Sequence, residues 1–161
     1  MAVDAFLKID GVEGESDDLV HRGEIEVESW KWGAQQPGTS AFGKGSGAGR
    51  VDMQDFRFFK RVDKSSPRLY VSCCSGQVFQ HATLSVRKAG TTPQDYLKVY
   101  FTNVMIAEFQ TAGCAATDDV PREQIKFDFG KVEFEYRIQK PDGSMGGPLK
   151  GGYDLQQNVK I

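Results

Sequence analysis

Apolar residues alternate with polar ones at period two along most of this chain, the signature of strands with one face buried. Val3, Ala5, Leu7 and Ile9 share one face of a first strand. Ile25 and Val27 open a second, which runs on to Trp30 and Trp32. The apolar phase switches between Val27 and Trp30. That switch predicts a β-bulge near Glu28–Ser29, or a strand buried on alternate faces along its length. Val51 and Met53, followed by Phe56 and Phe58, repeat the switch in a third strand. Ala82, Leu84 and Val86 mark a fourth, and Leu97, Val99, Phe101 and Met105 a long fifth. Ile125, Phe127 and Phe129 form a sixth; after Gly130 the phase flips to Val132, Phe134, Tyr136 and Ile138. Tyr153, Leu155, Val159 and Ile161 predict a last strand at the C-terminal end.

One short helix interrupts this pattern. Ser66 suits its cap, Pro67 its first turn and Gly76 its end. Leu69/Cys73 and Tyr70/Cys74 stand at i, i+4 within it. Its expected role is to cover an open end of the sheet. Two glycine-rich stretches, 37–49 and 141–152, read as loops longer than a hairpin needs. No internal repeat is visible. Many strands with glycine-rich turns predict a mostly-β fold, a barrel or sandwich with one short α-helix and extended Gly-rich loops.

Length fits one domain, 1–161, with enough chain to bury a core unaided. No apolar run approaches the roughly 20 residues of a membrane-spanning helix. The N-terminal residues lack a basic region and a sustained apolar run, so no cleaved secretory leader is expected. The formal charge of −2 gives no electrostatic reason to expect a nucleic-acid partner. Cys73, Cys74 and Cys114 are odd in number and two are adjacent, which fits reduced thiols. With no CxxC pair and only His21 and His81 as imidazoles, no metal site is expected.

Candidate chemistry is thin. Gly38, Gly43 and Lys44 carry most of a phosphate-binding loop, whose backbone N–H groups would wrap an anion. Gly45 stands where that loop needs Ser or Thr, and a strand follows where it needs a helix N-terminus. Gly43 to Ala48 also fits a loose GxGxxA pattern and fails the same test of context. Cys73 and Cys74 lie toward the C-terminal end of the helix, where the dipole disfavours a thiolate. They read as small buried hydrophobes; no nearby sequence supplies a base, and His81 is the candidate to approach in space. Glu24, Glu26 and Glu28 alternate with Ile25 and Val27 and read as a solvated face. Trp30 and Trp32 read as core or subunit packing, and His21, among polar residues, as a surface histidine. Pattern and composition thus reach a soluble, mostly-β domain without a catalytic constellation or cofactor motif.

Read in order, however, several segments resemble one family. MAVDAFLKIDGVEGES opens the chain, and GEIEVESWKWG follows at 23–33, then the first glycine-rich stretch. VDKSSPRLYVSCCSG, LSVRKAG at 84–90 and the terminal YDLQQNVKI complete the set. This ordered series is similar to the Hcp (haemolysin-coregulated protein) family and covers essentially the whole chain. The resemblance implies a compact β-barrel of two sheets with a helix on its side. It implies hexameric rings that stack into the inner tube of the type VI secretion system, a relative of contractile phage tails. The implied partners are further copies of the chain, the spike, the sheath and effector proteins carried in the ring's lumen. Made in the bacterial cytoplasm, such a subunit leaves with the tube, to the exterior or into a target cell, without a cleaved signal. Tyr153 stands where the family's terminal motif would place Trp; a similar anchoring role is expected, with a hydroxyl to satisfy. The end at Ile161 gives the expectation that no toxin domain is appended.

Ring stacking needs an arm along the tube axis. Residues Thr39, Ser40, Ala41, Phe42, Gly43, Lys44, Gly45 and Ser46 are the expected contact loop, with Phe42 its one large apolar anchor. Deleting 41–47 is expected to leave the domain folded and abolish stacking. Lys31 lies between Trp30 and Trp32, so its side chain points opposite to theirs. If the tryptophans pack inward, Lys31 is expected to line the lumen and tune effector retention. The alternative reading is a monomeric β-barrel that binds a small ligand, a sugar or lipid, through Trp30 and Trp32. An enzyme ranks third, resting on the imperfect phosphate loop and the paired cysteines.

Overall fold

The computed structural model describes residues 3–37, 50–88, 90, 92–116 and 120–161. The strands are β1 (Val3–Ile9), β2 (Ile25–Val27), β3 (Ser29–Lys31), β4 (Ala34–Gln35), β5 (Asp52–Met53) and β6 (Phe56–Arg61). After helix α1 (Ser66–Ser75) come β7 (Val78–Lys88), β8 (Asp95–Ala112), β9 (Arg122–Gln139), β10 (Met145–Asp154) and β11 (Val159–Lys160). The fold is mostly β with one short helix, in two sheets. The larger runs β11-β10-β9-β8-β7-β1-β2, with β6 bonded to β9 and β3 to β6; the smaller is β4-β5.

The phase switch after Val27 has a structural cause. The chain leaves β1, which pairs with Ile25–Val27, and crosses to β6, which pairs with Ser29–Lys31. Glu28 makes the crossing, its N–H donating to the Phe59 carbonyl at 2.8 Å. The end of β2 is tied to β6 here, so Val27 and Trp30 reach the same core from different sheet positions. The expected third strand splits for a related reason. Asp52–Met53 pairs only with β4, and Phe56 then starts a new alignment along β9.

The long strands β8 and β9 also change phase together. Leu97, Val99 and Phe101 point inward, then Val104 and Ile106, so Met105 is not the core residue expected of it. Asn103 takes up the change with φ of 56°, a left-handed backbone that Asn tolerates. In the steady register of the pair it lies across from Gly130, where β9 flips. Phe56, Phe58, Phe101, Phe127 and Phe129 fill the interior, with ring centroids 4.8–6.4 Å apart.

Helix α1 lies against β8, with Leu69 buried and Tyr70 packed 5.7 Å from Phe109. Ser65, not Ser66, is the N-cap residue, and it makes no side-chain cap bond. Ser66 is drawn away into a buried polar cluster. Its Oγ lies 3.0 Å from Lys60 Nζ and donates to Glu123 Oε2 at 2.9 Å. Lys60 also reaches Glu123 at 2.7 Å and Asp63 at 2.9 Å. Gly76 ends the helix at φ of 69°, as its sequence position predicts.

The second glycine-rich stretch is not a long loop. Asp142 and Ser144 hold a tight turn, and Met145–Asp154 is a strand paired with β9. Glycine and proline hid it, because neither carries an alternation signal. A Cβ at Gly152 would meet the Ile161 side chain at 2.6 Å, so a larger residue there would have to displace the last residue. Tyr153 donates its hydroxyl to Asn158 Oδ1 at 2.8 Å, so the expected hydroxyl partner is present.

Candidate functional site

The contact loop Thr39, Ser40, Ala41, Phe42, Gly43, Lys44, Gly45, Ser46 lies outside the described residues, as does the phosphate-loop pattern it contains. Its stem is described. Ala34–Gln35 and Asp52–Met53 pair as a short hairpin, and β6 follows, so strands flank the stretch on both sides. An anion-binding helix N-terminus does not follow it. Lys31 is exposed on β3, opposite the half-buried Trp30 and Trp32. Both tryptophans pack on the core: Trp30 stacks on Phe56 at 6.4 Å, and Trp32 meets Phe101 and Phe129 edge-on. Cys74 and Cys114 are exposed and Cys73 is half-buried, so the adjacent pair is not the buried pair expected.

His21 is buried, contrary to its polar sequence neighbourhood. Its Nδ1 lies 2.6 Å from Glu24 Oε2 and its Nε2 3.0 Å from Asp95 Oδ1. Its ring stacks on Phe6 at 4.5 Å, and Arg87 covers the same phenyl ring at 4.9 Å. Arg87 binds the Asp18 carboxylate with both terminal nitrogens. That bond holds the Asp18 carboxyl at about 2, well below its ordinary value. Asp18 Oδ1 in turn accepts the N–H groups of Val20 and His21 at 2.9 and 3.0 Å. Glu24 is thus engaged at home, whereas Glu26 and Glu28 are exposed as expected.

The main sheet leaves two unlike margins. At one, β10 bonds to β11 only at Tyr153 and Asp154, so the far edge of 145–151 lies outside the β10–β11 pairing. Beside this edge Phe134, Tyr136 and Ile138 continue the apolar phase of β9 beyond the core and are exposed. Leu149, paired with Tyr136, is 60% exposed. Of the basic residues here, Arg137 is bonded to Glu135 and Lys150 to Glu133, while Lys140 is exposed. On its opposite face Tyr100 donates to Glu135 at 2.9 Å, and burial with that carboxylate pushes the phenol up to about 12. Burial alone would raise Glu135, but bonds from Tyr100 and Arg137 and the Lys150 charge outweigh it and hold it low.

At the other margin, β2 and the ends of β1 and β6 line a cleft. Its carboxylates include Asp4, Glu15, Asp17, Glu26 and Glu28, with Val3, Val27 and Val62 as apolar wall. The two arginines on it, Arg61 and Arg87, are outnumbered, and Arg87 is already taken by Asp18. One edge therefore presents exposed apolar side chains, the other a cleft dominated by carboxylates. Alternation alone did not reveal this, because an exposed apolar strand face and a core face have the same period.

Comparison with known proteins adds the family. A family model described as type VI secretion system effector, Hcp, matches residues 6–136. The chain is 42% identical to Protein hcp1 of Pseudomonas aeruginosa over 162 aligned positions, covering 99% of each. The crystal structure of Hcp1 from Salmonella typhimurium superposes with a TM-score of 0.82 at 35% identity, covering 100% of both chains. A structure titled as a type six secretion system protein gives a TM-score of 0.93 at 30% identity, covering 99% of this chain and 100% of its own.

Proposed function

This chain belongs to the Hcp family of type VI secretion system proteins, and on that premise we propose that it is the ring-forming subunit of the secretion tube. The observation that carries the reading is the pair of unlike margins on one sheet. A ring needs a heterologous interface, in which each copy offers two different surfaces. The β10 margin offers Tyr136, Ile138 and Leu149. The β2 margin answers with Val27 and Val62 among carboxylates. Carboxylates on the β2 margin repel a second copy of the same edge, which disfavours pairing of like edges. A closed ring of about six copies, stacked into a tube, is the assembly this family suggests.

The spike and sheath of the same system are the further partners, and export runs with the tube from the bacterial cytoplasm. The loop Thr39–Ser46 is proposed as the stacking arm. Lys31, exposed opposite the packed tryptophans, is proposed to face the lumen and hold effectors there. Lys31→Glu should change effector co-purification with rings intact; unchanged recovery would remove that role.

The ring reading is tested at the β10 margin. Leu149→Asp places a carboxylate on an exposed site, so the fold should persist while the assembly dissociates to the 17.8 kDa chain. Unaltered mass in that variant would show that this edge is not the interface.

A further inference from the structure

Lys140 stands apart from the other basic residues of the β10 margin. Arg137 and Lys150 are bonded to Glu135 and Glu133, whereas Lys140 is exposed and has no carboxylate partner among the described residues. The turn that carries it is held on both sides. Lys140 N–H donates to the Ser144 carbonyl at 2.8 Å, and Gly143 N–H to the Lys140 carbonyl at 2.9 Å. Asp142 Oδ1 accepts from the Ser144 hydroxyl at 2.6 Å. Ile138, just before the turn, is 54% exposed. A turn already fixed loses little backbone entropy on docking.

The acidic cleft at the β2 margin has the complementary character. Seven carboxylates and two guanidiniums line it. Asp18 is held by Arg87, Asp63 by Lys60 and Glu28 by Arg122. Glu15, Asp17 and Glu26 are exposed and carry no ion pair among the described residues, although Arg22 stands near the first two on the neighbouring rim. The cleft wall is also unfinished in the single chain. Arg87 Nε is buried without a hydrogen-bond acceptor, with the half-exposed Asp4 carboxylate 3.7 Å away. Buried donors are almost always paired, so a second chain laid over Val3 and Asp4 would complete this wall.

Strand register sets turn and cleft at the same end of the sheet. Val3 pairs with Lys88, Arg87 with Asp95 and Leu97 with Tyr136. The start of β1, the end of β7, the start of β8 and the end of β9 therefore lie side by side. The cleft takes in Val3, Asp4 and Arg87, and the turn follows Gln139 at the end of β9. Five strand spacings separate β10 from β2 along the sheet, about 24 Å at roughly 4.8 Å each. A neighbour set alongside at the same height presents its turn to this cleft. We infer that Lys140 of one copy enters the acidic cleft of the next copy in the ring, among Glu15, Asp17 and Glu26, with Ile138 against Val3. The contact is lateral, within one ring. It rests on the ring reading and names the charged group that selects one margin for the other.

The test begins with charge reversal, read as molar mass by light scattering over a dilution series. Lys140→Glu should raise the concentration at which rings dissociate by about tenfold, and so should Asp17→Lys with Glu26→Lys. Combining all three restores opposite charges and should bring that concentration back to within about threefold of the parent. Disulfide trapping then fixes the direction of the contact, in a chain whose Cys73, Cys74 and Cys114 are replaced by Ser. Ile138→Cys with Val3→Cys should give, on oxidation, a ladder of covalent oligomers that stops at the ring size, and neither single variant should exceed a dimer. A ladder running past the ring size would mean an axial contact and overturn the inference. A triple variant that fails to recover would show that the charges act separately, and would overturn it too. Rings that give no ladder and ignore the charge reversals overturn the Lys140 contact and leave the ring reading standing. A parent chain that is monomeric throughout overturns both.

Discussion

Lys60 is the most informative single residue to perturb. Its side chain is fully buried beside Glu123, itself 2% exposed, with the charged atoms 2.7 Å apart. It donates further to Asp63, Ser66 Oγ and the Arg61 carbonyl at 2.9–3.1 Å. Lys60→Met keeps the stem and removes the charge, leaving Glu123 buried with the Ser66 hydroxyl alone. Removing one partner of a buried ion pair costs roughly 3–5 kcal/mol, because the other charge stays desolvated. In a chain of this size each kcal/mol moves Tm by about 2–4 °C, so a fall of about 6–20 °C is expected. Circular dichroism melts at fixed protein concentration read it, since assembly itself raises Tm. The double variant Lys60→Met with Glu123→Leu removes both charges and should recover more than half of the loss. A Lys60→Met melt within about 2 °C of the parent, or a double variant that loses the sum of the singles, would refute the reasoning.

Two further outcomes follow from the same geometry. Asp18 is held at about 2 by Arg87, below its ordinary 3.8, so its contribution is present above the ordinary value and lost as pH falls through the folded one. Asp18→Asn should therefore be destabilising near neutral pH, with the gap to the parent closing between about pH 4 and pH 2; a gap constant with pH in urea melts would contradict the assignment. Gly14→Ala places a Cβ 2.3 Å from the Glu24 carbonyl oxygen. It must part the two segments that Gly14 and Ser16 hold together by bonds of 2.8 and 3.1 Å to Gly23 and Glu24, at a cost of about 1–3 kcal/mol in the same assay. A neutral Gly14→Ala would show that this turn is not closely packed.

Much of the fold is legible in the chain because alternation reports burial directly. β1, β7 and the two halves of β9 follow from their apolar phase, and α1 from Pro67 and Gly76. The phase also held information that goes beyond strand location. Lys60 falls in step with Phe56 and Phe58, and Glu123 with Ile125 and Phe127, but the pairing of the two across β6 and β9 emerges only in the structure. His21 was not legible, since its partner Asp95 is 74 residues away in sequence. β10 was hidden by Gly146, Gly147, Gly151, Gly152 and Pro148, which read as loop but suit an edge strand. Phe134, Tyr136 and Ile138 read as core because an exposed apolar strand face alternates as a core face does. The ordered motifs supplied the family, which periodicity could not.

The central claim is tested most directly by the molar mass of the purified protein, measured by light scattering after size exclusion. A mass near six times 17.8 kDa, with an annulus and central hole in electron micrographs, is the predicted result. A mass that stays near 17.8 kDa at high concentration would contradict the ring.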